Sequence, residues 1–185
     1  DWSRTRLVHV YSIGSLALRC DMSDLAGWVI CALRRTGAEG DYSPDLVSRA
    51  VAHWEALSED TRAAVEHAIL SGLPGADRGY SVEEFRARLA LYAGLGPDDL
   101  RANLKSFLQA VVPVAEELGV RLAIHPDDPP RPLFGLPRVV STPDDYRALE
   151  AAAPSLANGV TFCTGSLGAR ADNDIEQMAK DLAPR

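Results

Sequence analysis

The sequence predicts a helix-rich α/β fold, and three observations lead there. Of its 185 residues 46% are hydrophobic and 24% charged, a balance that belongs to globular chains rather than disordered ones. Between residues 43 and 118 the apolar positions recur at helical spacing, behind Ser and Pro residues that open helices. After Gly119 the period changes, and short apolar runs ending on His125 and Cys163 alternate with helical segments. Strand, helix, strand, helix is a right-handed βαβ pattern, so the two strands should be parallel neighbours. The length allows a single domain.

In chain order, RLVHVYS at residues 6–12 reads as a further strand. Ser43 caps the first helix, DLVSRAVAHWEAL, with Pro44 in the first turn, where its missing N–H does no harm. Ser58 caps EDTRAAVEHAILSG, with Gly72 as its stop. GLPGADRGYS, residues 72–81, is Gly-rich without phosphate-loop spacing and reads as a helix connection. Ser81 and Glu84 form a capping box that opens EEFRARLALYAGL. Pro97 opens DDLRANLKSFLQAVVPVAEEL, which Gly119 closes and which Pro113 should kink by removing a donor and crowding the preceding turn. VRLAIH is then a strand, TPDDYRALEAAA a helix capped by Thr142, GVTFC a strand and DNDIEQMAKDLA a helix.

The net charge of -7 argues against a nucleic-acid backbone or an anionic membrane as partner. No apolar run reaches the roughly 18 residues of a spanning helix. RTRLVHVYSIGSLAL imitates a secretion signal with Arg4 and Arg6, but His9, Ser12, Gly14 and Ser15 dilute it, and Arg19 and Cys20 stand where small residues belong. Cys20, Cys31 and Cys163, odd in number and irregular in spacing, fit a reducing cytoplasm. Asp1 stands where a translated chain would carry Met, so a fragment, a processed form or part of a longer chain is expected.

The chemistry concentrates after the two strands. Neighbouring parallel strands lie about 4.8 Å apart, so His125 and Cys163 at their ends can both reach one ion. Sites of parallel α/β folds gather at this edge. Taken singly, the histidine also reads as a hydrogen-bonded structural residue and the cysteine as a small core side chain. Pro126 stops the strand, and Pro129, Pro130 and Pro132 stiffen the loop beyond it. Asp127 and Asp128 are metal ligands, acid–base groups or, by default, a solvated turn. Arg131, Arg138 and Arg170 could clamp a carboxylate or could be ordinary surface arginines. CTGSLGARADND has the form of an anion-binding turn entering a helix. His9, His53 and His67 need no function.

At IHPDDPPRPLFGLPRVVST, residues 124–142, and NGVTFCTGSLGARADND, residues 158–174, the chain resembles the mannonate dehydratase family, sugar-acid enzymes of hexuronate breakdown. RTGAEGDYS, GLPGADRGYS and LRANLKSFLQAVVPVAEELGVRLAIHPDDPP extend the likeness over essentially the whole chain. The resemblance implies a partial (β/α)8 TIM barrel of the xylose-isomerase-like kind, with residues 1–185 a single-domain central slice lacking the first and last strands. It implies dehydration of D-mannonate, a small sugar acid, to 2-keto-3-deoxy-D-gluconate with a divalent metal, Mn2+ or Fe2+. His125 and Cys163 match two of the metal ligands. Ligand softness alone would favour Zn2+. The family's remaining His and Asp ligands and an Arg-Pro-Asp-His-Gly segment fall beyond this sequence. The isolated segment is therefore expected to be inactive, with Asp127 and Asp128 the only acid–base candidates inside it. A related metal-dependent sugar isomerase and a truncated, non-catalytic binding or assembly module of the same fold are the competing expectations. A homo-oligomer is compatible with all three.

Overall fold

The computed structural model describes residues 6–10, 12–14, 16–71 and 80–183. The readings placed on Asp1, Arg4, Ser15 and Gly72, and on most of the Gly-rich connection, lie outside them. The chain divides into two compact units, Asp1–Ala93 and Gly94–Arg185.

The first unit opens with an antiparallel pair, β1 (Arg6–Val10) and β2 (Leu16–Arg19), with Arg6 opposite Arg19 and Val10 opposite Leu16. β1 is the expected strand; its partner was not anticipated. Nor was the helical segment that follows, α1 (Met22–Gly27), which runs on as a π-helical turn over Trp28–Ala32. Its sequence hides it for a physical reason. Leu25, Ala26, Trp28, Val29 and Leu33 are all buried, so the segment has no polar face to show a period. Asp21 caps α1 by accepting from Ser23 N at 2.9 Å.

α2 (Pro44–Ala56) and α3 (Glu59–Ser71) start on Ser43 and Ser58 as expected, with Leu46 N and Thr61 N each donating to the capping hydroxyl at 3.3 Å. α4 (Val82–Ala90) carries the full Ser81–Glu84 capping box, and the Ser81 bonds hold the Glu84 carboxyl below its ordinary range. Phe85 of α4 packs on Trp28 with ring centroids 6.0 Å apart, and the Trp28 indole N–H donates to Glu66 of α3 at 2.9 Å. His53 has a structural partner, its Nε2 lying 2.8 Å from Oδ1 of the buried Asp24.

Helices α1 and α2 meet at Gly27, where an added Cβ would stand 2.8 Å from the Ala50 carbonyl and 2.9 Å from Trp54 Cβ. Helix propensity alone would favour Gly→Ala by about 1 kcal/mol. The clash is with backbone, which cannot swing aside, and overpacking costs about 1–3 kcal/mol. Gly27→Ala is therefore expected to lower stability. A midpoint of denaturant unfolding that rises instead would mean the helices part without cost.

The second unit opens with α5 (Pro97–Glu117), where Gly96 N donates to Asp99 Oδ2 at 2.9 Å. The helix runs unbroken across Pro113, which lies on its exposed side while Val112 and Ala115 are buried. Gly119, at φ +67°, ends the turn in the left-handed region that glycine tolerates. β3 (Leu122–Ile124), α6 (Pro143–Ala152) and β4 (Asn158–Val160) then form the expected parallel βαβ unit, pairing Leu122 with Asn158 and Ile124 with Val160. α7 (Thr164–Leu167) and α8 (Ile175–Leu182) follow. Both strands stop short of expectation, β3 one residue before His125 and β4 three before Cys163. Leu108, Val112, Tyr146, Leu149, Leu167 and Met178 join α5, α6, α7 and α8 in one core. Among the described residues no helix is long and apolar enough to cross a membrane.

Candidate functional site

The in-register parallel pair brings the two residues after the strands to the same end. Thr161 N donates to Ile124 O at 2.9 Å and carries the ladder one step past β4. Pro126 has no N–H to continue β3, so His125 marks the point where the chain turns away. Cys163 stands before the short α7, accepting Leu167 N on its carbonyl at 3.0 Å.

The local chain prepares both side chains. Nδ1 of His125 lies 2.7 Å from the Pro126 carbonyl. A carbonyl can only accept, so Nδ1 carries the proton and Nε2 is left for another partner. The Ser166 hydroxyl donates to Cys163 Sγ at 3.3 Å. That hydroxyl, the Ser166 and Gly165 backbone N–H groups and the His125 imidazole bring the Cys163 thiol from 9.0 down to about 7, against an upward push from burial. The imidazole of His125 therefore lies close enough to Cys163 to favour its thiolate. Among the described residues no third His, Cys, Asp or Glu completes a group able to hold a metal.

The sign of the thiol shift gives a pH prediction. A lowered folded value means the thiolate steadies the fold, fully above the ordinary 9.0 and decreasingly as pH falls through about 7. Alkylation of Cys163 in metal-free protein should show a midpoint near 7, because the thiolate is the nucleophile. A midpoint at the ordinary value would show that the Ser166 and His125 contacts do not form. Ser166→Ala should move the midpoint upward.

The loop between β3 and α6 is a packed body. Pro130, Leu133, Phe134, Val139 and Val140 are buried within the unit. At its tip Leu133 and Leu136 exchange both backbone hydrogen bonds, at 3.2 and 2.8 Å, around Phe134 (φ +55°) and Gly135 (φ +78°). Positive φ at both central positions is the tight hairpin turn that favours Asn-Gly. For Phe134 it is strained, and burial of the ring offsets that strain. At the base, Asp127 Oδ2 accepts Val140 N at 2.7 Å and the Ser141 hydroxyl at 2.9 Å, with Arg138 3.6 Å from Oδ1. Asp128 is half-buried beside the cis Asp128–Pro129 bond.

Two of the three arginines hold this loop to the segment after Cys163. Arg131 donates to Ala169 O at 2.8 Å, and Arg170 returns the bond to Pro130 O at 3.1 Å while pairing with Asp172 at 2.8 Å. Asn173 adds bonds to Ser141 O at 2.9 Å and Leu167 O at 3.0 Å. Sequence reasoning missed Ser141, Ser166, Asn173 and Tyr146. Ser166 had a local signal, its spacing of three from Cys163 at a helix start, whereas Ser141 and Asn173 meet across 32 residues. Tyr146 is buried with its hydroxyl unpartnered; burial, with Asp127 and Cys163 nearby, pushes its phenol pKa up.

The D-mannonate dehydratase (UxuA) family matches residues 1–185. A mannonate dehydratase of Chromohalobacter salexigens is 50% identical over 185 residues, covering 100% of this chain and 47% of that protein. One of Marinomonas sp. is 48% identical over 180 residues, covering 97% of this chain and 46% of its own. The crystal structure of mannonate dehydratase from Streptococcus suis serotype 2 superposes with a TM-score of 0.63 at 29% identity, over 100% of this chain and 38% of that one. The chain spans just under half the length of these curated relatives. With the match running from its first residue to its last, the chain belongs to the D-mannonate dehydratase family.

Proposed function

We propose that this chain supplies part of the active site of a metal-dependent hydro-lyase that turns D-mannonate into 2-keto-3-deoxy-D-gluconate, in cytoplasmic hexuronate breakdown. On this reading the segment is part of a (β/α)8 barrel. The observation that carries it is the pairing of His125 and Cys163 beyond the ends of adjacent parallel strands, in a chain of this family.

The donors suit a divalent transition ion. One is an imidazole whose Nδ1 is held by a carbonyl, leaving Nε2 as the nitrogen able to bind an ion. The other is a thiol ionisable near neutral pH. Imidazole and thiolate softness favours Zn2+, while the family affiliation supports Mn2+ or Fe2+. His125 and Cys163 would hold such an ion, and the chemistry it would supply is Lewis-acid polarisation of a bound 2-hydroxy acid, which makes the C2 proton more acidic. Loss of that proton and of the 3-hydroxyl as water leaves an enol, which ketonises to the product. Arg138 is the arginine proposed for the substrate's carboxylate, since its ion pair with Asp127 spans 3.6 Å and leaves the fork open. Arg131 and Arg170 are engaged in tying the loop to the segment after Cys163.

Supplying the full-length protein with D-mannonate and either Mn2+ or Fe2+ should yield the 2-keto-3-deoxy acid, read as its semicarbazone. Absence of product with each metal, in protein shown to bind it, would overturn the assignment. Arg138→Lys keeps charge but loses two-point geometry, so KM for mannonate should rise about tenfold or more. An unchanged KM would move substrate recognition elsewhere.

A further inference from the structure

The peptide group between Pro126 and Asp127 is held at both ends. Its carbonyl receives the His125 Nδ1–H at 2.7 Å, and its N–H donates to Val140 O at 2.9 Å. A trans peptide is planar, with C=O and N–H pointing in opposite directions. Whatever fixes the N–H therefore aims the carbonyl. The Val140 N–H returns a bond to Asp127 Oδ2 at 2.7 Å, and the Ser141 hydroxyl adds a second at 2.9 Å. Asp127 and Val140 thus clasp each other through two hydrogen bonds across the neck of a loop of 13 residues' separation.

We infer that Asp127 is a positioning residue for His125: its clasp on Val140 and Ser141 orients the Pro126 carbonyl, which holds the imidazole with Nδ1 protonated and leaves Nε2 as the metal-binding nitrogen. The inference rests on the metal-ligand reading of His125 and deepens it by naming what presents that ligand. Both Oδ2 bonds come from the far end of the loop, so the carboxylate is occupied in closing it. Ser141 is itself held in place, its N–H donating to Asp145 Oδ2 at 3.0 Å and its carbonyl accepting from Asn173 at 2.9 Å. The clasp therefore rests on a fixed partner.

The test uses full-length protein labelled with 15N-histidine, with His125→Ala identifying the His125 signals. In the wild type Nδ1 should show a bonded proton, protected from exchange. In Asp127→Ala that proton should exchange freely, and affinity for Mn2+ alone should fall about 10–100-fold, the usual effect of losing a ligand's outer partner. Asp127→Asn keeps an acceptor for Val140 N–H and should recover most of both readings. If Asp127→Ala does not fold, Ser141→Ala, which removes one of the two donors, must weaken Mn2+ binding with a loosened Nδ1–H. An unchanged Nδ1–H signal with Mn2+ affinity within twofold of wild type, in folded Asp127→Ala or Ser141→Ala, overturns the inference. A purely structural Asp127 would lower the unfolding midpoint without altering the imidazole. Wild-type Mn2+ affinity in His125→Ala would instead overturn the ligand reading itself, so the two failures are distinguishable.

Discussion

Replacing His125 or Cys163 by Ala in the full-length protein should remove bound divalent metal and dehydratase activity together. Each replacement deletes a direct donor, so the loss should exceed the roughly 10–100-fold that follows removal of an outer partner. The fold should tolerate both. His125 is exposed, and Cys163 lies outside the core cluster built on Leu108, Tyr146 and Leu167. A cavity cost like that of a core Leu→Ala change does not arise. Elemental analysis beside a turnover assay decides the matter. Full metal occupancy in Cys163→Ala would reduce that residue to a packing side chain. Loss of activity with metal retained would make it a reacting group.

The parts of the fold that could be read from the sequence are those whose signals are local. Ser43, Ser58, Ser81 and Thr142 cap helices where hydroxyls before apolar periods said they should. The parallel pairing of β3 and β4 followed from chirality and a short βαβ spacing. The helix starting at Met22 was illegible because burial on all sides erases the polar stripe, and β2 because a short hairpin strand has too few residues to show alternation. At the candidate site, the places of His125 and Cys163 after two apolar runs were readable, and the in-register parallel pair puts both at one end. Asp127, by contrast, looked the same as any turn aspartate. Its partners Val140 and Ser141 are brought to it only by closure of the loop. The arginines illustrate the same limit, since residue type suggested anion binding while two of the three donate to backbone carbonyls.

Asp145→Ala should be the most damaging change outside the site, costing about 2–4 kcal/mol. Asp145 Oδ2 accepts three donors, Ser141 N at 3.0 Å, Thr142 N at 3.0 Å and the Thr142 hydroxyl at 2.9 Å, and the side chain is buried. The hydroxyl can turn elsewhere, because Thr142 is half-buried. The two backbone N–H groups cannot, and each buried orphan costs about 1–3 kcal/mol. Arg101, 3.5 Å from Oδ1 and about half exposed, contributes little, since exposed ion pairs are worth at most about 1 kcal/mol. Asp145→Asn keeps one acceptor oxygen and should fall between wild type and Ala. Loss of Asp145 also frees the Ser141 backbone, so it should loosen the hydroxyl that closes the Asp127 clasp and weaken Mn2+ binding without touching either ligand. Denaturant unfolding and Mn2+ titration of the same variant would test both halves. A stability loss under about 1 kcal/mol would show that water replaces the carboxylate. A large loss with unchanged Mn2+ affinity would show that the neck of the loop holds its shape without this helix cap.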